Sequence, residues 1–143
     1  MSLHSQRGAV IVETAISASL MLLLLLGIFD FSKALYAYHT IGAAAQMGAR
    51  WAMVRGARCL DASCPATTAT VKTFVQSVVP LLDPASVGVT TTWATTSLCA
   101  ANPATAIGCK VSVTVTYPFT FAVPFVSAST LQLSSTSVMT ISE

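Results

Sequence analysis

A carboxylate stands where the chain is about to become most apolar. In "RGAVIVETA", residues 7–15, Glu13 comes just before a stretch, Thr14 to Phe29, that has no charged residue. An ionised side chain inside a bilayer costs a few kcal/mol, less near an interface, so a lone acid there marks a functional site by default. The second group with chemistry is the four cysteines, Cys59 with Cys64 and Cys99 with Cys109. An even count in two close pairs suggests disulfides in an oxidising compartment, with three connectivities open. Loops closed by such neighbours are each worth roughly 2–3 kcal/mol on the chain-entropy model. Zinc is the rival reading, but neither pair has the two-residue spacing of a zinc knuckle, so no metal is expected.

No other residues form a catalytic constellation. The histidines are His4 and His39, and there is no G-x-S-x-G elbow, P-loop or dinucleotide fingerprint. Asp30, Asp61, Asp83 and Glu143 read as isolated acids in loops or at ends. The expectation is a protein that is not an enzyme and takes no cofactor. The net charge is +2, and the loose series Arg50, Arg55, Arg58 reads as a solvated face at a helix end, so no nucleic-acid partner is expected.

The elements that must position these residues begin with one long helix. A chain of 143 residues that is 54% hydrophobic and 8% charged holds one small domain plus an extra apolar element. Ala9 to Phe29 supplies 21 residues, enough to cross a hydrocarbon core of roughly 30 Å as a helix. No proline interrupts Ala9 to Val54, so a single helix can run through all 46 positions. At about 1.5 Å per residue that is roughly 69 Å, more than twice what a membrane needs. A cleavable secretory signal fits poorly, because "FDFSKALY" follows the run where a small-x-small site belongs. In the second half of the helix Phe31, Leu35, Tyr38, Gly42, Ala45, Ala49 and Ala52 follow steps of three and four and are expected to share one face. That face narrows from aromatic residues to alanine, as suits close packing on the chain's own globular part or on another subunit.

Past Arg58 the pattern changes. "CLDASCPA" is a turn-rich loop, and "TTATVKTFVQSVVPLL" offers Thr67 or Thr68 as N-cap, Val71, Phe74, Val75 and Val78 at helical spacing, and Pro80 as a stop. From Val87 the period becomes two: Val87, Val89, Thr91 and Trp93; Val111, Val113, Val115 and Tyr117; Leu131, Leu133, Met139 and Ile141. Leu98 to Lys110 reads as a long hairpin loop held by Cys99 and Cys109. The stretch "PFTFAVPFVSAS" at 118–129 reads as an apolar connection folded over the sheet, or else as a patch that binds a partner or touches the membrane. The expected fold class is α+β: a long N-terminal hydrophobic to amphipathic helix, a second short helix, and a three-stranded antiparallel β-sheet. Residues 1–8 are expected to be a leader, 9–29 a transmembrane span, 30–56 an amphipathic extension, and 57–143 an α+β domain. The positive-inside signal is weak, with Arg7 before the span and Lys33 after it, so orientation rests on the cysteines, which need the non-cytoplasmic side.

Gly8, then Ala9 to Val12, then Glu13, leading into an apolar helix, resembles the prepilin-peptidase site of type IV pilin-like proteins. More narrowly, the chain resembles TadE-like proteins, minor pilins or pseudopilins of tight-adherence (Tad) pili. The matching pieces are "RGAVIVETA", the leucine run, Gly27 to Lys33, Ala45 to Arg50, and the final "VTVTYPFTF" and "LSSTSVMTISE". Thr14 stands where that family usually carries an aromatic residue.

The resemblance implies cleavage between Gly8 and Ala9 by a prepilin peptidase on the cytoplasmic side. It implies a role in subunit assembly for Glu13, paired with the new Ala9 amine of its own chain or of a neighbour. The implied partners are the inner membrane, the peptidase, other pilin or pseudopilin subunits and the pilus assembly platform. The implied location is a single-pass inner-membrane protein with a periplasmic C-terminal domain, or a pilus at the cell surface used for adhesion. The alternative is a bitopic envelope protein whose periplasmic domain binds another protein and never enters a filament.

Overall fold

The computed structural model describes residues 4–56, 58–79, 81–94, 99, 106–122 and 130–142, and side chains from residue 8 onward. It is α+β, as expected. Helix α1 spans His4–Met53, α2 Thr68–Ser77, and strands β1 Gly88–Trp93, β2 Lys110–Thr120 and β3 Thr130–Thr140 form an antiparallel sheet in the order β1-β2-β3. The uninterrupted helix exists because no proline breaks it and because its hydroxyl residues satisfy themselves. Thr14 Oγ1 donates to the carbonyls of Val10 (3.0 Å) or Ile11 (2.9 Å), and Ser19 Oγ to that of Ala15 (2.8 Å). Such internal bonds let Ser and Thr sit in an apolar helix without seeking water.

The second half of α1 lies across the sheet, antiparallel to β2. Ala122, just past β2, bonds to Asp30, while Ser142, past β3, donates to the carbonyl of Met53 at 3.2 Å. The 23 helical steps between Asp30 and Met53 cover about 35 Å, and the 11 residues of β2 cover about 37 Å, so helix and strand match in length. The core is built from Ile41, Ala44, Ala45, Ala49 and Ala52 of α1, Val71 and Val75 of α2, and Val111, Val113 and Val115 of β2, all at most 1% exposed. Helix α2 starts at Thr67, whose side chain and that of Thr70 form a reciprocal capping box, and it buries Val71 and Val75 as its spacing predicts.

The buried face of α1 differs from the expected one. Ala45, Ala49 and Ala52 face the core and Gly42 is half-buried, but Phe31, Leu35 and Tyr38 are exposed by 69, 46 and 50%. The buried line is instead Asp30, Ala37, Ile41, Ala44, Gly48 and Ala52. Steps alternating between three and four average 3.5 residues, whereas the helix turns every 3.6; the drift is about 20° per heptad, or about 60° over these three heptads. The stripe therefore starts beside the sheet-facing line and enters it only near Ala45.

Two further expectations need correction. Pro118 to Thr120 extend β2 instead of opening a connection, because β3 continues to pair with them while β1 stops at Thr116. A proline is tolerated where one side of the strand is already open. The rest of that stretch, 123–129, lies outside the described residues, as do Pro80 and most of the Leu98 to Lys110 loop. Arg55 is not simply solvated. Its guanidinium stacks 4.0 Å from the Trp51 ring, Nε donates to Ser63 Oγ at 3.0 Å, and Trp51 stacks in turn on Phe74 at 5.4 Å. Arg50 and Arg58 are exposed.

At Gly48 α1 packs tightly against α2 and β2: a Cβ there would meet Val75 Cγ2 at 2.6 Å and Val113 Cγ1 at 3.3 Å. At Gly42 the nearest atom would be Ser135 Oγ at 3.7 Å, an ordinary contact. Gly48→Ala is expected to destabilise the domain by ~1–3 kcal/mol through overpacking. Gly42→Ala is expected to be neutral or to stabilise by up to ~1 kcal/mol through helix propensity. Thermal unfolding of the two variants in detergent checks the contrast.

Candidate processing and assembly site

Gly8, Ala9 and Glu13 are all exposed on α1, and nothing lies within 4 Å of the position a Gly8 Cβ would take. Gly8 and Ala9 lie inside the helix, which begins at His4, so the bond between them is part of a continuous helical stretch. Glu13 stands four residues after Ala9, the i to i+4 spacing at which side chains share a helix face. Among the described residues no group donates a hydrogen bond to Glu13. Gly8, Ala9, Val12, Glu13, Ile16 and Ser17 together line a shallow, open surface of the helix.

From Val10 to Phe29 the large apolar side chains are all exposed, and no residue of the most apolar part of the helix is buried in the rest of the chain. The helix is long and apolar enough to cross a membrane once.

The cysteines are far from this end. Cys59–Cys64 and Cys99–Cys109 are disulfides, the pairing in which each cysteine joins its nearest neighbour, so they are not zinc ligands. Both sit beyond the distal end of α1. Cys59 follows the helix by six residues, and Cys109 accepts at its carbonyl from Ile141, next to the Ser142 to Met53 bond. From Glu13 to Met53 the helix covers about 60 Å. The structure therefore separates the candidate processing and assembly residues from the disulfides, which staple the loops at the far end of the domain.

Asp30 is the functional residue that pattern reading missed. Read as an isolated acid, it lies inside α1, 2% exposed, one residue after the apolar run, and the Ala122 N–H donates to its Oδ2 at 2.7 Å. It ties the end of β2 to the helix at the level where the apolar segment stops. Its signal in the sequence was its place in the Gly27 to Lys33 segment, an acid immediately after the apolar run.

Residues 8–50 match the family model described as TadE-like protein. No curated protein and no solved structure matches the chain.

Removing the acceptor of a buried hydrogen bond leaves the Ala122 N–H without its partner, a loss of ~1–3 kcal/mol. Asp30→Ala is expected to lower domain stability by that amount, and Asp30→Asn, which keeps a carbonyl acceptor, by less. Denaturant unfolding in detergent, read through Trp51 and Trp93 fluorescence, measures both.

Proposed function

We propose, for a chain whose residues 8–50 match the TadE-like family model, a membrane-anchored minor pilin or pseudopilin that acts in assembly of a Tad-type pilus for adhesion, as an initiating, tip or minor component. The observation that carries this reading is the uncovered apolar surface of α1 with Glu13 and Gly8 at its start. The exposed apolar surface also continues past the apolar run: Phe31, Leu35 and Tyr38 remain exposed beyond Phe29. Such a surface suits a helix that leaves lipid to pack among other helices.

In this reading a prepilin peptidase cuts between Gly8 and Ala9 at the cytoplasmic side, and the domain stands in the periplasm, where its disulfides form. The cut bond is helical here, so the first turns must unwind in the peptidase, which the unsatisfied N–H groups of a helix start make easy. Cleavage gives Ala9 a new ammonium one turn before Glu13. Within one subunit the two can pair across the turn. Between subunits, the Glu13 of one meets the amine of another in a dry bundle, where the attraction is strengthened. An unpaired carboxylate there is costly, so the pair also sets register.

Two measurements test the reading. N-terminal sequencing of protein from its native host is expected to begin at Ala9, and a mature chain beginning at Met1 or Ser2 would sink the cleavage step. Glu13→Ala is expected to leave cleavage and membrane insertion intact while reducing recovery in sheared pili about tenfold, the effect of losing ~1.4 kcal/mol. Normal recovery removes the proposed role of Glu13, and wild-type protein found only in the membrane fraction favours an envelope protein outside the filament.

A further inference from the structure

Where α1 leaves its apolar run, the helix and the domain enclose a groove of about 380 Å³, walled by Phe29, Lys33 and Tyr36 of α1, Leu81, and Tyr117 and Phe119 of β2. Its lining is largely apolar and contains no acidic residue. Phe29 closes the apolar run and is 62% exposed, so the groove is continuous with the surface that faces lipid. Lys33 follows Phe29 by four residues, about 6 Å along the helix axis, and the polar headgroup layer is about 5–8 Å thick on each side of the hydrocarbon core. The Lys33 ammonium, 5.7 Å from the Phe29 ring centroid, therefore lies at headgroup depth, and the two tyrosines lie where such rings collect at membrane surfaces.

We propose that this groove holds one acyl chain of an anionic membrane phospholipid, with the headgroup phosphate at the Lys33 ammonium. Two features select a lipid over a second protein chain. The one cation of the lining sits at phosphate depth, and the apolar walls continue at Phe29 into the exposed apolar run. A lipid seated here would hold the domain against the membrane surface at the point where Asp30 ties β2 to the helix. The proposal rests on the membrane-anchor part of the preceding reading and not on the pilus.

The test uses the full chain in nanodiscs of equal phosphatidylglycerol and phosphatidylethanolamine, with native mass spectrometry to count the lipids retained after release. The wild type is expected to keep one phosphatidylglycerol per chain. Lys33→Gln is expected to lose the preference for phosphatidylglycerol, and Ser32→Phe, which adds a ring at another lining position of the groove, to lose the retained lipid. Arg50→Gln, an exposed cation elsewhere on α1, is expected to behave as wild type. Retention unchanged by Ser32→Phe, equal retention of both lipids by the wild type, or a second chain in place of lipid overturns the proposal. Insertion without retained lipid overturns the groove alone, whereas failure to enter nanodiscs overturns the membrane anchor as well.

Discussion

The close approach of α1 to β2 is the contact on which the rest of the architecture depends. Ala44, Ala45, Gly48, Ala49 and Ala52 offer almost no side chain, so the helix backbone comes down onto Val111, Val113 and Val115, and the valines supply the volume. Larger residues on the helix would lift it away and open voids against the sheet, whose loss of packing the small domain has little other core to offset. Because α1 continues unbroken from this contact, the same packing also aims the apolar segment away from the domain.

One helix thus serves two environments, and the change between them falls within a few residues. From Thr14 to Phe29 its side chains are uncharged, and the hydroxyls of Thr14 and Ser19 bond back to the helix backbone. At Asp30 the domain begins to cover it: the carboxyl accepts the Ala122 N–H, and Phe119, 5% exposed, packs close by on β2. At the far end the domain is closed differently, by two disulfides, by the Trp51 stack between Arg55 and Phe74, and by backbone bonds joining Cys109, Ile141, Ser142 and Met53. Polar and covalent ties at both ends leave the middle to apolar packing.

The turn that leads into β1 shows how much such local polar chemistry contributes to placing the groove walls. Ser86 Oγ and the Ala85 N–H both donate to the Asp83 carboxyl, which holds it below the usual carboxylate range, and Gln76 donates to the carbonyl of Pro84. These bonds bring Val87 into the core and leave Leu81 outside it, beside Tyr36.

Local pattern was enough for the elements. The length of α1, the capping threonine of α2 and the inward faces of the three strands all follow from periods, caps and spacings a few residues long, whereas the choice among three cysteine pairings came from the structure. The proposed processing and assembly site rests likewise on a local relation, the five residues of sequence from Gly8 to Glu13. What only the tertiary structure decided were relations across the chain: which face of α1 meets the sheet, how far β2 runs, that Asp30 answers Ala122 ninety-two residues away, and that Arg55 stacks on Trp51. A helix carrying apolar residues on several faces presents more than one plausible stripe. Only the shape and volume of the opposing valines select among them, and that selection exists once the sheet has formed.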